Sequence, residues 1–518
     1  MASSSSASLS VKKDLTEEHE HIEEQPVEAA SISEDEEFGG TEARRKLEKK
    51  LLRKLDARIS ILIVIYILNY IDRNNASAAR LRGFEEDLHL TGEQFDTLLS
   101  ILYVGYILMQ VPSNMLLNYI GRPSVYLPCC MIIWGMISCL TGVTTDFVGA
   151  LLTRFFLGFV EAAFFPGALF LLSKWYTRAE LGVRTALLSC GSLISNAFGS
   201  LIASGILDSM QGKLGHSAWR WLFYIEGSLT VFVAIVAIFV LPDFPATSHT
   251  WLSPLEVRLA EKRMEEDAGV GDEDPVAKSD GHSHTQLEGL QLALSDWKVW
   301  LLALALTSMV VSLSFNAFFP TLTATLGFDT TVTLLLCAPP WALATIVAFA
   351  VARHSDKVGE RFWHIAIPLF FGIVGFIIAL STMNTAARYV SLCATFCFIS
   401  DVHSCKLHEP CRFLMAQSYA GFITFLAWVS NSIPRPPAKR AVALAFINAF
   451  SQLGNIAGSY VWPSKWGLSY RYSYAICIAA NGMCIVLCYA FKRHLERLNA
   501  RMEREEAEGR ARGFRYLT

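Results

Sequence analysis

Runs of about twenty mostly apolar residues recur along this chain, separated by short polar turns. A hydrocarbon layer about 30 Å thick is crossed by about 20 helical residues rising about 1.5 Å each, so these runs make lipid the chain's main solvent. Six lie near residues 58–79, 97–119, 124–143, 147–173, 183–207 and 219–241. A hydrophilic segment from Asp243 to about Leu294 follows, and then five more runs, near 297–326, 332–352, 363–383, 436–460 and 470–491. An interrupted run over 388–430 supplies a twelfth. The expectation is an all-α membrane protein of 12 transmembrane helices in two six-helix bundles, 56–242 and 295–492, joined by a cytoplasmic loop over 243–294.

Only 18% of the residues are charged, against about 25% in ordinary soluble domains. The cysteines fall mostly inside apolar runs, as at Cys190, Cys477, Cys484 and Cys488, and read as buried free thiols. Residues 1–55 are acidic and serine-bearing with little to bury, and read as a disordered tail; residues 493–518 read as a second polar tail. The first thirty residues hold no apolar stretch of the kind a secretory signal needs, so the first span is expected to act as the signal.

Lys and Arg in short loops set orientation. Arg44, Arg45, Lys46, Lys49, Lys50, Arg53 and Lys54 precede the first span, and alternate turns carry Arg122, then Lys174, Arg178 and Arg184, then Arg353, Lys357 and Arg361, then Arg435, Lys439 and Arg440. Both termini and the central loop are therefore expected on the cytoplasmic side.

One stretch breaks the pattern. Residues 393–412 place Asp401, His403, Lys406, His408, Glu409 and Arg412 within the tenth span, where lipid makes charge costly. Removing them joins RYVSL to FLMAQSYAGF and restores one ordinary span, so they read as an insert of retained intron sequence that would give a misfolded or inactive product if translated. A metal site built from Cys397, His403, Cys405, His408 and Cys411 is the alternative, but the spacing matches no standard zinc finger. No resident metal or other cofactor is expected.

Ionisable residues inside spans are functional candidates by default. The first span carries adjacent Asp72 and Arg73; the fourth carries Arg154 and Glu161, seven residues apart and therefore on one helical face. These four are either structural ion pairs or a site for substrate and proton. The second reading has Arg73 and Arg154 as permanent cations that hold a carboxylate, and Asp72 and Glu161 as the proton-coupling groups. Glu226 in the sixth span is a further candidate, with Arg220 as a structural partner six residues before it. In the second half, Asn316, Asn448 and Gln452 are candidate substrate contacts, alongside Asn431 and Asn455, although buried amides also serve simply to join helices.

Two loops at matching places in the halves resemble each other: NYIGRPSVYL after the second span and ARHSDKVGERFW after the eighth. The second resembles the G-x-x-x-D-[RK]-x-G-[RK] loop of the major facilitator superfamily, with Asp356, Lys357, Gly359 and Arg361 in place; the first keeps Gly121 and Arg122. The runs LNYIDRNN, RFFLGFVEAAFFPGALFLLSKWY and WRWLFYIEG resemble the fungal branch of the anion:cation symporters, which includes allantoate and nicotinate permeases. The resemblance implies the major facilitator fold, a gating role for the second loop, and proton-driven uptake of a small organic anion (a vitamin, ureide or other carboxylate) at the plasma membrane. It also implies substrate and coupling roles for Asp72, Arg73, Arg154 and Glu161. Expected partners are that anion, the proton and the bilayer, with no nucleic acid and a monomeric state. Export of a secondary metabolite, or nutrient sensing without transport, are the competing functions. An enzyme is not expected, for want of nucleotide or metalloprotease motifs and of a soluble domain to hold a catalytic core.

Overall fold

The computed structural model describes residues 36–245, 251–269, 291–384, 415–433, 437–507 and 517. The described residues form helices and turns with no strand. Helix α1 (Thr41–Ile59) leads into the first half, which is α2 (Ile61–Ala79), α3 (Gln94–Ile120), α4 (Pro123–Thr141), a fourth span in two pieces, α5 (Phe147–Glu161) and α6 (Phe164–Trp175), then α7 (Arg178–Ser209) and α8 (Ala218–Val240). Helix α9 (Pro254–Gly269) lies in the central loop. The second half opens with α10 (Trp297–Leu313), extended through a 3-10 turn and the short α11 (Phe319–Ala324). It continues with α12 (Thr330–Val358), α13 (Phe362–Ser381), α14 (Met415–Ser432), α15 (Pro437–Ser459) and α16 (Arg471–Ala507). Among the described residues each half thus shows six long spans. Eight of them are long and apolar enough to be recognised as membrane-crossing by composition alone. Helix α2 falls short of that measure, its apolar character diluted by Asn69, Asp72, Arg73, Asn74 and Asn75.

Within the first half, α4 packs on α8 and α5, α3 on α5, and α2 on α7 and α8; in the second, α10 packs on α15 and α16, and α14 on α12 and α13. The halves meet along α7 against α12 and α3 against α15. The break in the fourth span follows from Pro166, which has no N–H to give the carbonyl of Ala162. The backbone tightens there, with Ala163 N–H donating to the Val160 carbonyl. Glu161 therefore ends a helix instead of sitting mid-helix.

Two polar segments are more ordered than their composition implies. Helix α1 begins at Thr41, inside the stretch read as a disordered tail, and α9 forms within the central loop. The charges that suggested solvation neutralise one another across the two helices. Lys54 donates to both oxygens of Glu256 at 2.8 Å, and Arg263 meets Glu48 and Glu180 at 2.6 Å each. Arg44 pairs with Glu266, while Leu51, Leu55 and Ile59 of α1 are buried beside Val257 and Ala260 of α9. Glu256 also closes the α9 N-terminus: it accepts the Ser253 N–H at 2.9 Å while the Ser253 hydroxyl accepts the Glu256 N–H at 3.3 Å, a capping box with Pro254 as first helical residue. At the other end, α16 runs past residue 492 to Ala507, so the C-terminal tail begins as a continuation of the last span. The proposed insert at 393–412 and its cysteine and histidine cluster lie outside the described residues.

Close helix approach at Gly158 joins α3 and α5. A Cβ on Gly158 would lie 1.9 Å from the Leu102 carbonyl oxygen, a backbone atom that cannot move aside. We expect Gly158→Leu to abolish recovery of monodisperse protein in size-exclusion chromatography, whereas Gly182→Leu, at a position open on all sides, leaves it unchanged. Burial alone would raise the Glu256 carboxyl, but the hydrogen bonds from Lys54 and the Ser253 N–H, with the Lys54 and Lys50 charges, hold it below its ordinary value. The resulting stabilisation of α9 on α1 is complete above the ordinary carboxylate range and is lost as pH falls through the depressed native value. Protection from hydrogen exchange across 254–269, taken relative to the intrinsic rate at each pH, should therefore fall on acidification below the usual glutamate range, and do so less in Glu256→Gln.

Candidate substrate and coupling site

The polar residues of α2 converge with α5, α4 and α8 in the interior of the first bundle. Arg73 directs Nε and Nη2 at one oxygen of Glu161, at 3.0 and 2.9 Å. Its guanidinium lies 5.0 Å from the ring of Tyr70 and 5.1 Å from that of Tyr106, with Tyr103 at 5.8 Å. Three aromatic faces replace part of the water that a buried cation gives up. Helix α3 supplies Tyr103 and Tyr106, and its contact through Gly158 sets them beside Glu161.

Arg154, one face and two turns before Glu161 on α5, is 1% exposed. Its Nη1 donates to the backbone carbonyls of Arg73 at 3.1 Å and Asp72 at 3.5 Å, and its guanidinium stacks over Phe223 at 5.5 Å. Its Nε and Nη2 have no protein partner, and neither does the second oxygen of Glu161. Buried charged groups are normally satisfied, so unused donors and an unused acceptor make this a candidate binding place.

Asp72 is not Arg73's ion-pair partner, despite being its neighbour in sequence. Successive residues of a helix point about 100° apart, so the Asp72 side chain faces α4 and α8. There it accepts Ser138 Oγ on one oxygen at 2.9 Å and Thr230 Oγ1 on the other at 2.8 Å. Both hydroxyls reach it because α4 and α8 touch at glycines: a Cβ on Gly227 would lie 2.7 Å from the Gly135 carbonyl oxygen. The expected Arg220–Glu226 pair also fails. Arg220 Nη1 instead caps the end of α4, donating to the carbonyls of Gly142 and Thr144 at 2.8 Å each, while Glu226 turns inward toward Asp72 and Asn75. A six-residue offset sets two helical residues about 120° apart around the axis and about 9 Å apart along it, a geometric reason the pair does not close.

A cavity of about 30 Å³, room for a water or two, lies between the halves and is lined by Arg73, Asn74, Ser77, Arg154, Ser314 and Asn455 among others. A second, of about 40 Å³, is lined by Asn74, Asn75, Asn196, Asn316 and Trp341 among others. Asn316 thus stands at a cavity wall, its amide donating to the Tyr419 hydroxyl. Of the α15 amides it is Asn455 that lines a cavity; its Nδ2 donates to Gln452 Oε1 at 2.8 Å, so Gln452 stands behind it. Asn448 lines neither cavity. Asn74, absent from the sequence candidates, lines both and donates to Asn196 at 2.7 Å. Its place in the polar run NYIDRNN was the available signal.

In the loop after the eighth span, Gly359 takes φ +72° and closes α12 through its N–H to the Ser355 carbonyl; Gly121 does the same after α3 at φ +67°, donating to Leu117. Arg361 is buried and donates to Ser355 Oγ at 3.0 Å, while Lys357 is exposed. The side chains of Asp356 and Asn431 lie outside the described residues.

A sequence profile described as the Major Facilitator Superfamily matches residues 62–459. The chain belongs to that superfamily. It is 31% identical over 444 residues to the MFS-type transporter cnsO of Penicillium expansum, covering 84% of this chain and 80% of that one. It is likewise 31% identical to a putative tartrate transporter of Agrobacterium vitis, covering 74% and 86% respectively. The fold matches that of a bacterial homologue of the human lysosomal transporter Spinster, solved inward-facing and unoccupied, with TM-score 0.61 at 16% identity, over 84% of this chain and 96% of that one. The xylose transporter XylE of E. coli gives 0.60 at 13%, over 84% and 98%. This chain is thus a membrane transporter of the major facilitator type, a multi-pass protein of a class that moves small molecules and is typically not enzymatic.

Transporters of this architecture work by rocking one bundle against the other around a central site. Here the bundles are tied at the end away from the described termini. Tyr460 bridges Thr97 and Ser100 at 3.2 Å, Lys465 meets Glu93 at 3.0 Å, and Arg80 donates to Ser464 at 2.8 Å. On the other seam Ser204 donates to the Thr331 carbonyl and Thr331 to Asp208. Closer in, the hydroxyl pair on Asp72 holds α2 to α4 and α8. Removing one donor from a buried carboxylate costs about 1–3 kcal/mol, so Ser138→Ala and Thr230→Val should each lower thermal stability of the detergent-solubilised protein, and the double variant by more than either.

Proposed function

We propose that this transporter is a proton-coupled symporter of a small organic anion, in which Arg73 and Arg154 hold the substrate carboxylate and Glu161 and Asp72 carry the coupling proton. The observation that carries this is the Arg73–Glu161 pair, set at the wall of a small cavity with unused donors on Arg154 beside it. Arginine stays charged at any cellular pH and meets a carboxylate through two parallel N–H groups. An incoming carboxylate satisfies the idle Nε and Nη2 of Arg154 and competes with Glu161 for Arg73. Glu161 would then be a buried charge without its cation, a costly arrangement relieved by taking up a proton. Substrate and proton therefore enter together.

The Agrobacterium relative, by its printed name a putative tartrate transporter, supports a carboxylate as the class of cargo. Asn316 and Asn455, facing the cavities from the second bundle, contribute neutral hydrogen bonds to the rest of the molecule. The basic turns support cytoplasmic termini and the resemblance to fungal permeases supports the plasma membrane, so the tied end is the outer gate and the state seen is the one that releases inward. The loop Asp356, Lys357, Gly359 and Arg361 then lies at the cytoplasmic end and gates that side.

The test is uptake of labelled carboxylates, tartrate among them, into proteoliposomes under an imposed pH gradient of either direction. Accumulation down the proton gradient is expected. Arg73→Lys should slow it roughly 10- to 100-fold through loss of the forked contact, and Glu161→Gln should still exchange substrate while no longer concentrating it. Net extrusion by the wild type, or undiminished concentration by Glu161→Gln, would refute the reading.

A further inference from the structure

Glu226, a buried carboxyl on α8 beside α2, is left without work by the mechanism above. It is 1% exposed, and neither of its side-chain oxygens has a hydrogen-bond partner. Thr230, four residues on and so stacked directly over it, gives its hydroxyl to Asp72. Asn75, three residues on from Asp72 along α2, lies beside Glu226, and its own Nδ2 is also without a partner. Antiparallel α2 and α8 thus face each other as two rungs, Asp72 against Thr230 and Asn75 against Glu226.

The other groups around this ladder are few. Helix α4 brings Ser138 and the Cys139 thiol, α5 brings Arg154 behind the backbone of Asp72, and α7 brings neutral Ser195, Asn196 and Ser200 to the neighbouring cavity. In the interior cluster as a whole, three carboxyls (Asp72, Glu161 and Glu226) face two guanidiniums (Arg73 and Arg154). An uncompensated charge in so dry a place is strongly disfavoured, and neutrality requires one proton. Glu161 receives two N–H groups from Arg73, and Asp72 receives two hydroxyls; both have the donors an ionised carboxylate needs. Glu226 has beside it only the single neutral amide of Asn75, fewer donors than an ionised carboxylate needs.

We infer that Glu226 holds an exchangeable proton in this state, forming with Asp72 a proton site separate from the Arg73–Glu161 pair and reached through Asn75. Asn75 lines the cavity of about 40 Å³, large enough for water, and so joins the buried carboxyl to a wet space. The proton passes from cavity water past the Asn75 amide to Glu226, with Asp72 as the adjacent acceptor. No bond to substrate is involved, so the inference stands whatever the cargo proves to be.

Infrared difference spectra of the full-length protein in lipid nanodiscs, without substrate, test this directly. A protonated-carboxyl carbonyl band should be present, should shift when water is replaced by deuterium oxide, and should move when glutamate is 13C-labelled. It should vanish in Glu226→Gln and persist in Glu161→Asp, which keeps the charge count of the cluster. Asn75→Leu should keep the band but slow its deuterium shift, which guards against a Glu226 variant that fails to fold. A band unchanged in Glu226→Gln, a band that never exchanges, or a band abolished by sodium chloride but not choline chloride at fixed pH would each overturn the proposal, the last by assigning the site to a metal cation.

Discussion

The pairing of Arg73 with Glu161 at bilayer depth sets conditions that the surrounding structure has to meet. A guanidinium and a carboxylate removed from water lose hydration that their mutual attraction recovers only when geometry is good and remaining donors are filled. Here the fork closes on a single carboxylate oxygen, and three tyrosine rings enclose the cation. Those rings come from α2 and α3, the carboxylate from α5, and the close approach at Gly158 brings them together. The break in the fourth span at Pro166 leaves Glu161 at a helix end. Little of this arrangement can be moved independently of the rest.

Such a pair is a poor choice for stability alone, since packed apolar residues often do as well. Its incompleteness is the informative property. Arg154 keeps two donors idle, Glu161 one acceptor and Glu226 two. In a soluble protein water would fill them; in a membrane interior the occupants available are substrate, proton and the few waters that small cavities hold.

Outside the bilayer the same chemistry serves assembly. Helix α9 is fastened to α1 by ion pairs around Glu256 and Arg263, so a strongly charged loop becomes a strut beneath the first bundle. Composition alone reads such a segment as solvated because it counts charges without knowing whether they meet. The helical period of Leu51, Leu55 and Ile59 was present in the sequence, but its significance depended on a partner some 200 residues away.

The spans, the six-plus-six division and the identity of the buried charges were fixed by sequence, because lipid leaves the backbone few options and makes every interior charge conspicuous. Which charges meet was not. Asp72 and Arg73 are neighbours along the chain yet face different helices, Arg220 turns away from Glu226, and Asn455 instead of Asn448 reaches a cavity. Those outcomes depend on helix rotation and on glycine contacts between helices distant in sequence, so they are decided only when the bundle packs.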